Sequence, residues 1–443
     1  LRDSAALEFD FCGGLVGYLG YELRHELGSR VRHPATTPDA ALFLADQVVV
    51  ADRRTGVVSA LALYGPGEGH EAEARAWTDA QVERLAGLEA SAALEGRSQS
   101  RGLQTRPPRP ASTWSLASQD EEEAGEPAER RDTAEGRDFG SASGGQAHAR
   151  STPPSNPRPF TLRHDRAAYV GNVQRCMEHL YSGDSYELCL TTQLRRPAAF
   201  SPWSLYRALR RSNAAPFAAF LDFGGAADLQ VCCSSPERFL RGSRAGELEA
   251  KPIKGTAPRG RNSLEDALAA EALRTSEKDR AENLMIVDLM RNDLGRVCEP
   301  GSVHVPSLMA IESYATVHQM VSTVRGQRLK TASVADCVAA AFPGGSMTGA
   351  PKLRSMEILE RLEGGPRGIY AGSVGFFSAN DAFDLNIVIR TAVVHQGHVA
   401  VGAGGAIVVQ SDPEGEFEEM MLKAGTLAKA FQAIDQEGAE QSA

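Results

Sequence analysis

The sequence predicts an α+β fold with a large antiparallel β-sandwich-like core and outer helices. The first observation behind this prediction is that β-rich runs come in groups joined by short turns, as in hairpins and meanders. The second is that helical stretches are grouped between those runs, instead of alternating with single strands. The third is that the sequence has no GxGxxG and no GxxxxGKS/T motif, which argues against a dinucleotide or P-loop fold.

The strands are predicted from β-branched and aromatic runs bounded by Gly, Asn and Asp. They form two hairpins and one three-stranded antiparallel meander: residues 47–50 with 57–64, residues 217–223 with 229–233, and residues 373–377, 383–394 and 398–409. The helices are predicted from apolar residues that recur at spacings of three and four. They cover residues 169–180, the stretch around 205–209, and residues 264–290, 352–362 and 416–431.

Composition narrows the classes of function. The 443 residues are 42% hydrophobic and 23% charged, which is ordinary for a soluble globular protein of roughly two or three domains. The net charge of -10 argues against nucleic-acid binding, and no apolar run approaches the roughly 18 residues of a membrane helix. The seven scattered cysteines lack a CxxC pair, which indicates reduced thiols rather than disulfides or a zinc site.

One internal break divides the chain. Residues 96–159 combine few large apolar side chains with many prolines, an acidic run and Ser/Gly clusters, so we expect a disordered low-complexity insertion. We expect residues 1–95 to be the N-terminal part of a fold that starts before Leu1, because the chain lacks an initial methionine and a targeting segment. Residues 160–435 are predicted to form a second folded domain, and residues 436–443 a disordered tail.

Lys254 is singled out by its neighbours in the segment Lys251-Pro252-Ile253-Lys254-Gly255-Thr256. Proline fixes φ and glycine permits backbone geometries closed to other residues, so the lysine has a rigid setting. A lysine buried against apolar groups has its charged form disfavoured, which leaves a nucleophilic amine near neutral pH. On spacing alone, a solvated lysine in a surface turn is the alternative.

Two predicted helices carry sets of acids. Asp279 and Glu282 are three residues apart, so they share one helix face. Glu416, Glu419 and Lys423 follow at spacings of three and four and share a face in the same way. Carboxylates that converge from two helices suit a hard divalent cation such as Mg²⁺. Each set alone also fits a solvated helix face, and the spacing does not establish that the helices meet.

Three further features indicate an anion-binding site. The glycine-rich stretch 342–352 runs into a predicted helix, where hydroxyls, backbone N–H groups and the helix N-terminus can receive a carboxylate. Gly404 and Gly405 lie inside a predicted strand, where bare backbone permits close approach of a ligand. Arg390 ends an apolar strand and offers a bidentate clamp for a carboxylate. A turn, a bulge and an edge arginine are the respective alternatives.

Together these motifs resemble the chorismate-utilising enzymes, and within that family the aminodeoxychorismate synthases. The matching segments occur in the family's order: SSPERF at 234–239, PIKGTAPRG at 252–260, LMIVDLMRND at 284–293, HQMVS at 318–322, PGGSMTGAPK at 343–352, GIYAG at 368–372 and the acidic segment 416–423. The resemblance is dense over about residues 160–432 and also reaches 14–22. It implies a fold like that of anthranilate synthase component I.

The resemblance also implies roles for single residues. Those implied to hold Mg²⁺ against the ring carboxylate of chorismate are Glu282 and Glu419, with Asp279 and Glu416 nearby. Asp279 departs from the glutamate common in relatives, so we expect it to ligate through water. Those implied to bind the substrate are Tyr370, Arg390, Gly404, Gly405 and Lys423. Thr348 is expected to touch the ring and His318 to act near the C4 hydroxyl; a satisfied core histidine is the alternative.

Lys254 distinguishes branches of the family. The PIxGT motif has lysine at x in aminodeoxychorismate synthases and typically alanine in anthranilate synthases. The implied reaction uses Mg²⁺ as a Lewis acid, adds the lysine amine at C2 of chorismate and expels the C4 hydroxyl. Ammonia then attacks C4 and releases the lysine, which gives 4-amino-4-deoxychorismate on the route to p-aminobenzoate and folate. Anthranilate synthesis and a catalytically silent chorismate-binding domain are the alternatives.

The implied reaction requires a source of ammonia. The sequence contains no glutaminase nucleophile segment of the Gly-x-Cys-x-Gly kind. We therefore expect a glutamine amidotransferase to supply ammonia, either as a separate subunit or as a domain upstream of Leu1. The long insertion and the segment 185–193 resemble plant or algal enzymes, which implies the plastid stroma, and otherwise the cytoplasm.

Overall fold

The computed structural model describes residues 9–30, 33–52, 57–65, 69–96, 159–315 and 317–440, and it confirms the predicted α+β class. The strands are β1 (Gly14–Leu19), β2 (Ala40–Ala45), β3 (Gln47–Ala51), β4 (Val58–Ala62), β5 (Thr161–Leu162), β6 (Glu187–Pro197), β7 (Phe217–Asp222), β8 (Leu229–Ser235), β9 (Arg238–Gly242), β10 (Glu247–Lys251), β11 (Ile253–Pro258), β12 (His304–Ser313), β13 (Val317–Gln327), β14 (Gly349–Ala350), β15 (Ser373–Ser378), β16 (Phe383–Asn386), β17 (Thr391–His395) and β18 (His398–Ile407).

The helices precede, separate and follow these strands. They are α1 (His70–Gly96), α2 (Arg166–Tyr181), α3 (Pro202–Ser212), α4 (Gly224–Ala227), α5 (Ser263–Thr275), α6 (Glu277–Gly295), α7 (Val334–Ala341), α8 (Lys352–Glu363), α9 (Pro413–Gly425) and α10 (Ala428–Glu440). Short 3₁₀ turns occur at Tyr21–His25 and Gly345–Met347.

Two antiparallel sheets lie face to face. The larger has nine strands in the order β11-β13-β10-β9-β16-β15-β1-β2, with β12 paired to β13. The smaller has seven strands in the order β14-β6-β18-β17-β8-β7, with β5 paired to β6. Between the sheets lies an apolar cluster that joins Tyr18 and Val374 of the larger sheet to Val231 of the smaller one. This cluster is the inner layer of the predicted sandwich.

Adjacent residues within single strands belong to different clusters, as the two-residue period of a strand requires. In β1, Tyr18 lies between the sheets, whereas Leu19 lies in the cluster that includes α6 and α7. In β8, Cys233 lies between the sheets, whereas Cys232 lies in the cluster built with α2, α3, α9 and α10. Helices therefore cover the face of each sheet that points away from the other sheet.

The structure contains both predicted hairpins, whereas it does not describe most of the predicted insertion. The hairpins 47–50 with 57–64 and 217–223 with 229–233 are confirmed as β3–β4 and β7–β8. The predicted insertion 96–159 lies outside the described residues except at its two ends. Helix α1, which precedes that segment, was not predicted from the sequence.

Two predicted helices are each divided in the structure. Residues 264–290 fold as α5 and α6, because Ser276 is extended and its hydroxyl caps α6 by accepting from the N–H of Asp279 at 3.3 Å. The predicted helix 416–431 is divided into α9 and α10. The second of these continues to Glu440, so the prediction that a disordered tail begins at 436 is wrong. Apolar periodicity alone does not reveal a capping residue at which one helix ends and the next begins.

The predicted three-stranded meander is also wrong. β15 and β16 form a hairpin in the larger sheet, whereas β17 and β18 form a hairpin in the smaller sheet. The chain changes sheets at residues 387–390, where Arg390 has a left-handed φ of 51°. Ile387 and Val388 are buried in different clusters on the two sides of this crossing. Because a segment buried on both sides reads as one apolar run, the sequence did not reveal the break.

All seven cysteines are free and buried. Among the described residues, no helix combines the length and apolar character that crossing a bilayer would take.

Arg367 and Glu363 form a buried ion pair next to the glycine-rich loop. Their closest N–O distance is 2.7 Å, and their side chains are 1% and 3% exposed. Arg367 also donates to the carbonyls of Met347 at 2.6 Å and Cys189 at 2.9 Å, which ties α8 to the loop and to β6. Replacing Arg367 by Met leaves a buried carboxylate without its cation. We expect the free energy of unfolding, measured by chemical denaturation, to fall by about 3–5 kcal/mol.

Arg75 and Glu71 provide a matched control on α1. This pair has the same four-residue spacing and a distance of 2.8 Å, but its side chains are 75% and 54% exposed. Arg75→Met is expected to leave the free energy of unfolding unchanged, because exposed ion pairs contribute little. Equal losses of unfolding free energy in Arg367→Met and Arg75→Met would contradict the claim that burial makes the Arg367–Glu363 pair important for stability.

Candidate active site

Lys254 lies in β11 and is 8% exposed. Its Nζ contacts Oε1 of Glu187, the fully buried first residue of β6. Burial disfavours the ammonium, but the carboxylates of Glu187 and Glu282 outweigh that effect, so the pKa of Lys254 lies above its ordinary value. Burial is thus confirmed, whereas the expectation of a neutral amine is wrong for the substrate-free site. The sequence did not show that a carboxylate lies against the lysine.

Gly255 allows β11 to approach α6 closely. Its φ is 85°, and a Cβ at this position would lie 2.9 Å from side-chain atoms of Asp279. Only glycine satisfies both conditions without strain. The contact places Lys254 beside the first turns of α6, which carry Asp279 and Glu282.

The two acidic helices meet at Lys278. Its Nζ lies 3.6 Å from Oε1 of Glu416 and 4.0 Å from Oε1 of Glu282. Glu419 and Asp279 also lie within electrostatic range and help to raise the pKa of Lys278, which burial alone would lower. Side-chain caps set the start of both helices, since Ser276 caps α6 and Asp412 caps α9. The structure therefore brings together the acids that the spacing alone did not connect.

Glu282 has a carboxylate oxygen that its neighbours do not satisfy. The residue is 7% exposed, and among the described residues its buried Oε1 has no hydrogen-bond partner. Burial raises the pKa of this carboxyl to about 7. A buried carboxylate oxygen without a donor is costly, and an added cation would relieve that cost.

The carboxylates of this cluster are chemically suited to a divalent cation, although their side chains do not converge on a single metal position. Within the described ranges, no three His, Cys, Asp or Glu side chains enclose a common metal position. Lys278 instead places its own cation between Glu416 and Glu282, and its side chain is 49% exposed. Several hard oxygen donors around a displaceable ammonium group are suited to a cation such as Mg²⁺.

Gly405 of β18 faces the acidic helix α9. A Cβ on this residue would lie 3.2 Å from Oε2 of Glu416 and 3.7 Å from Nζ of Lys423. Lys423 pairs with Glu419 at 2.7 Å. Although burial opposes it, Lys423 lowers the pKa of Glu419. Bare strand backbone, a cation and two carboxylates therefore lie side by side here.

Tyr370 lies in the turn before β15 and packs against β18, the strand that contains Gly404. The ring of Tyr370 covers Gly402, where a Cβ would lie 2.1 Å from the ring. Only glycine at this position therefore leaves room for the ring. Burial raises the pKa of Tyr370 well above its ordinary value, which keeps the phenol neutral. Gly404 lies against Thr191 of the neighbouring strand.

Two further segments border the candidate site: the N-terminal segment 14–22 and the sheet crossing at residues 387–390. Glu22 accepts from the N–H groups of Arg367 and Gly368 at 2.9 Å each, so the segment 14–22 fixes the loop that carries Tyr370. Arg390 is half-buried near Glu237, and burial lowers its pKa.

His318 and Thr348 make other contacts. In His318, Nε2 lies 3.0 Å from Oδ1 of Asp266 and Nδ1 lies 2.8 Å from Oγ of Ser313. The buried hydroxyl of Thr348 donates to the carbonyl of Gly345 at 3.1 Å. Over the described parts of the chain, no hydrogen bond or ion pair joins either side chain to Lys254.

A comparison with known protein families identifies the family of this chain. The family model described as chorismate binding enzyme matches residues 2–429. The chain belongs to that family.

Two plant members of the family are similar over nearly all of this chain. It is 46% identical to the probable aminodeoxychorismate synthase, chloroplastic, of Oryza sativa subsp. japonica, over 98% of this chain and 45% of the relative. It is 47% identical to the aminodeoxychorismate synthase, chloroplastic, of Arabidopsis thaliana, over 97% of this chain and 41% of the relative. The chain thus spans less than half the length of these relatives.

A solved structure of the family shares the fold. Anthranilate synthase component I from Streptococcus pneumoniae TIGR4 superposes with a TM-score of 0.72 at 26% sequence identity. The match covers 95% of this chain and 81% of the solved chain. The predicted likeness to the fold of anthranilate synthase component I is confirmed.

Two carboxylates beside Lys254 in this family member were not predicted from the sequence. Glu187 contacts the amine directly. Glu237 is buried, accepts weakly from the N–H of Ile253 at 3.4 Å, and has a pKa that burial raises to about 7. The available signal was a charged residue at the start of the apolar run Leu188-Cys189-Leu190, since charged side chains are rarely buried without a partner.

Proposed function

We propose that this chain converts chorismate and ammonia to 4-amino-4-deoxychorismate, the precursor of p-aminobenzoate in folate biosynthesis. The observation that carries the proposal is Lys254, a buried amine in a PIKGT segment that lies next to two converging acidic helices. The names of the two plant relatives support the same reaction.

Magnesium is the cation proposed for the acidic cluster. The residues that would hold it are Glu282, Glu416, Glu419 and, through water, Asp279. Bound Mg²⁺ supplies Lewis-acid stabilisation of negative charge on a substrate carboxylate. The unpartnered Oε1 of Glu282 and the displaceable Lys278 support this assignment.

The covalent steps use the amine of Lys254. Its Nζ forms a bond to C2 of chorismate while the C4–O bond breaks, and the departing hydroxide takes a proton from solvent and leaves as water. Ammonia then forms a bond to C4 and loses a proton to solvent, while the C2–N bond breaks and its electrons return to Nζ. One difficult displacement is thereby divided into two easier ones.

The remaining residues are proposed to orient the substrate. Lys423 and Arg390 supply cations for its carboxylates, and the neutral phenol of Tyr370 supplies a donor. Gly404 and Gly405 give the ligand access to bare backbone on β18.

Thr348 and His318 have the least direct support. Thr348 is proposed to touch the ring, for which its hydroxyl would leave the carbonyl of Gly345. His318 is proposed to act near the C4 hydroxyl. That role requires substrate binding to free one ring nitrogen from Asp266 or Ser313.

The proposed source of ammonia is a glutamine amidotransferase, as a partner subunit or as a further domain of a longer chain. The proposed location is the plastid stroma, which the word chloroplastic in both plant names supports. In an organism without plastids, the cytoplasm is proposed instead.

The function is tested by product analysis. The purified chain is incubated with chorismate, Mg²⁺ and an ammonium salt, and the product is identified by mass spectrometry. The expected product is 4-amino-4-deoxychorismate. Anthranilate as the product would contradict the proposal and favour the reaction named for the solved relative. Chorismate binding in calorimetry without any product would identify a silent domain.

A further inference from the structure

We propose that Glu187 takes the proton from Lys254 before attack and returns it after release, so that the nucleophilic amine forms inside their buried pair. The inference rests on the proposed function, because it concerns activation of the amine that attacks chorismate. It assigns a catalytic role to a residue that directly contacts the reacting nitrogen.

The contacts of Glu187 support this role. Its side chain is fully buried, and its Oε1 lies against Nζ of Lys254. Its Oε2 is buried and has no hydrogen-bond partner among the described residues. The negative charge of Glu187 is therefore stabilised chiefly by the ammonium group itself. Most buried carboxylates have several donors, and this one does not.

Burial of both partners lowers the free-energy cost of moving the proton between them. In the resting site the attraction of Lys254 to the carboxylates outweighs the desolvation penalty, but that penalty is large, so the neutral pair lies closer in free energy to the ion pair than it would in water. When the proton moves from Nζ to the carboxylate, an amine and a carboxylic acid replace the two charges. In this site, shielded from water, the neutral pair is therefore accessible, and its amine has the free lone pair that attack requires.

The other groups that face Lys254 are poorer proton acceptors. Glu282 and Glu237 lie within electrostatic range but do not contact Nζ. Glu282 faces Lys278, and Glu237 faces the N–H of Ile253. Cys189 lies nearby with a thiol whose pKa is raised by burial, so it is neutral. Glu187 is the carboxylate in direct contact.

The proton balance closes over one cycle. An N–H bond of Lys254 breaks and an O–H bond forms on Glu187. Addition to C2 leaves Nζ with two hydrogens and a positive charge. When ammonia forms its bond at C4, the C2–N bond breaks and Nζ leaves as a neutral amine. Glu187 then returns its proton, and the ion pair is restored.

This mechanism makes a specific prediction about pH. Transfer within the pair leaves the number of bound protons unchanged, so the rate of adduct formation is independent of pH while the pair holds one proton. If the proton instead went to solvent, the rate would rise about tenfold per pH unit up to the raised pKa of Lys254.

The test measures covalent adduct formation in a single turnover, with Mg²⁺ and chorismate but without ammonia. Quenched samples are analysed by intact-protein mass spectrometry between about pH 6.5 and pH 9.5, a window that lies below the ordinary lysine pKa of about 10.4. We expect a flat profile for the wild type, a profile that rises with pH for Glu187→Gln, and a flat profile again for Glu187→Asp. A wild-type rate that rises tenfold per unit, or a flat Glu187→Gln profile, would overturn the inference.

A second measurement does not require the proposed reaction. Lys254 is labelled with acetic anhydride in the absence of chorismate, and its modification is quantified by peptide mass spectrometry. Without its counterion, the buried lysine loses its proton more readily, so labelling of Glu187→Gln at neutral pH should be at least several-fold faster than labelling of the wild type. Unchanged labelling would overturn the pairing. An absent adduct in the wild type, together with faster labelling of the variant, would contradict the proposed function alone.

Discussion

Replacing Lys254 by Ala is expected to abolish the formation of 4-amino-4-deoxychorismate, with kcat lower by about 10³-fold or more. No other amine contacts the buried position beside Glu187 within the described residues, so the bond to C2 has no second nucleophile. Rates of product formation with chorismate, Mg²⁺ and ammonium salt, followed by mass spectrometry, measure the effect.

Lys251 gives a control from the same segment. It lies three residues earlier, is partly exposed and pairs with Glu312 at 2.7 Å, away from the acidic helices. Lys251→Ala is expected to keep nearly full activity. A comparable loss in both variants, or near-normal activity in Lys254→Ala, would contradict the assignment of the nucleophile.

A second control separates chemistry from folding. Lys254→Ala leaves Glu187 buried without its cation, which itself destabilises the chain. The double variant Lys254→Met with Glu187→Gln removes both charges and retains most of the volume. We expect it to fold with nearly the wild-type free energy of unfolding and to remain inactive.

Replacing Glu282 by Gln is expected to weaken Mg²⁺ binding to the substrate-free chain by at least about 10- to 100-fold. Changes to residues that only support metal ligands already reduce affinity by that amount. Glu282 supplies a buried oxygen without a donor, and Gln removes the charge while retaining the shape. Calorimetric titration measures the affinity. The fold should be no less stable, because a carboxylate that burial disfavours has been removed.

Lys278→Met is the matched variant with the opposite expected sign. The ammonium of Lys278 competes with a metal for Glu416 and Glu282, so its removal should strengthen Mg²⁺ binding by about three- to tenfold. Unchanged affinity in both variants would show that this cluster does not hold the cation.

The fold class was predictable because its signals are local. Turn residues between β-rich runs gave the hairpins β3–β4 and β7–β8, and apolar periodicity gave helices such as α2. The crossing at residues 387–390 was not predictable in this way, because the positions of Ile387 and Val388 between different layers depend on the stacking of the two sheets.

The candidate site was predictable in part for a similar reason. Helical spacing placed Asp279 with Glu282 and Glu416 with Glu419 on common faces, and the meeting of α6 and α9 at Lys278 was visible only in three dimensions. The pairing of Lys254 with Glu187 joins residues 67 positions apart in the chain. Neither spacing nor composition encodes such a contact, and this contact favours the charged form of Lys254, the proposed nucleophile.

The most direct test of the central claim is to locate a covalent adduct on Lys254. The wild-type chain is mixed with chorismate and Mg²⁺ without ammonia, quenched, digested and analysed by mass spectrometry. We predict that the peptide containing Lys254 gains the mass of chorismate less one water, and that later addition of ammonium salt removes this gain and releases 4-amino-4-deoxychorismate. Product formation with no mass gain on Lys254 at any time during a single turnover would contradict the account.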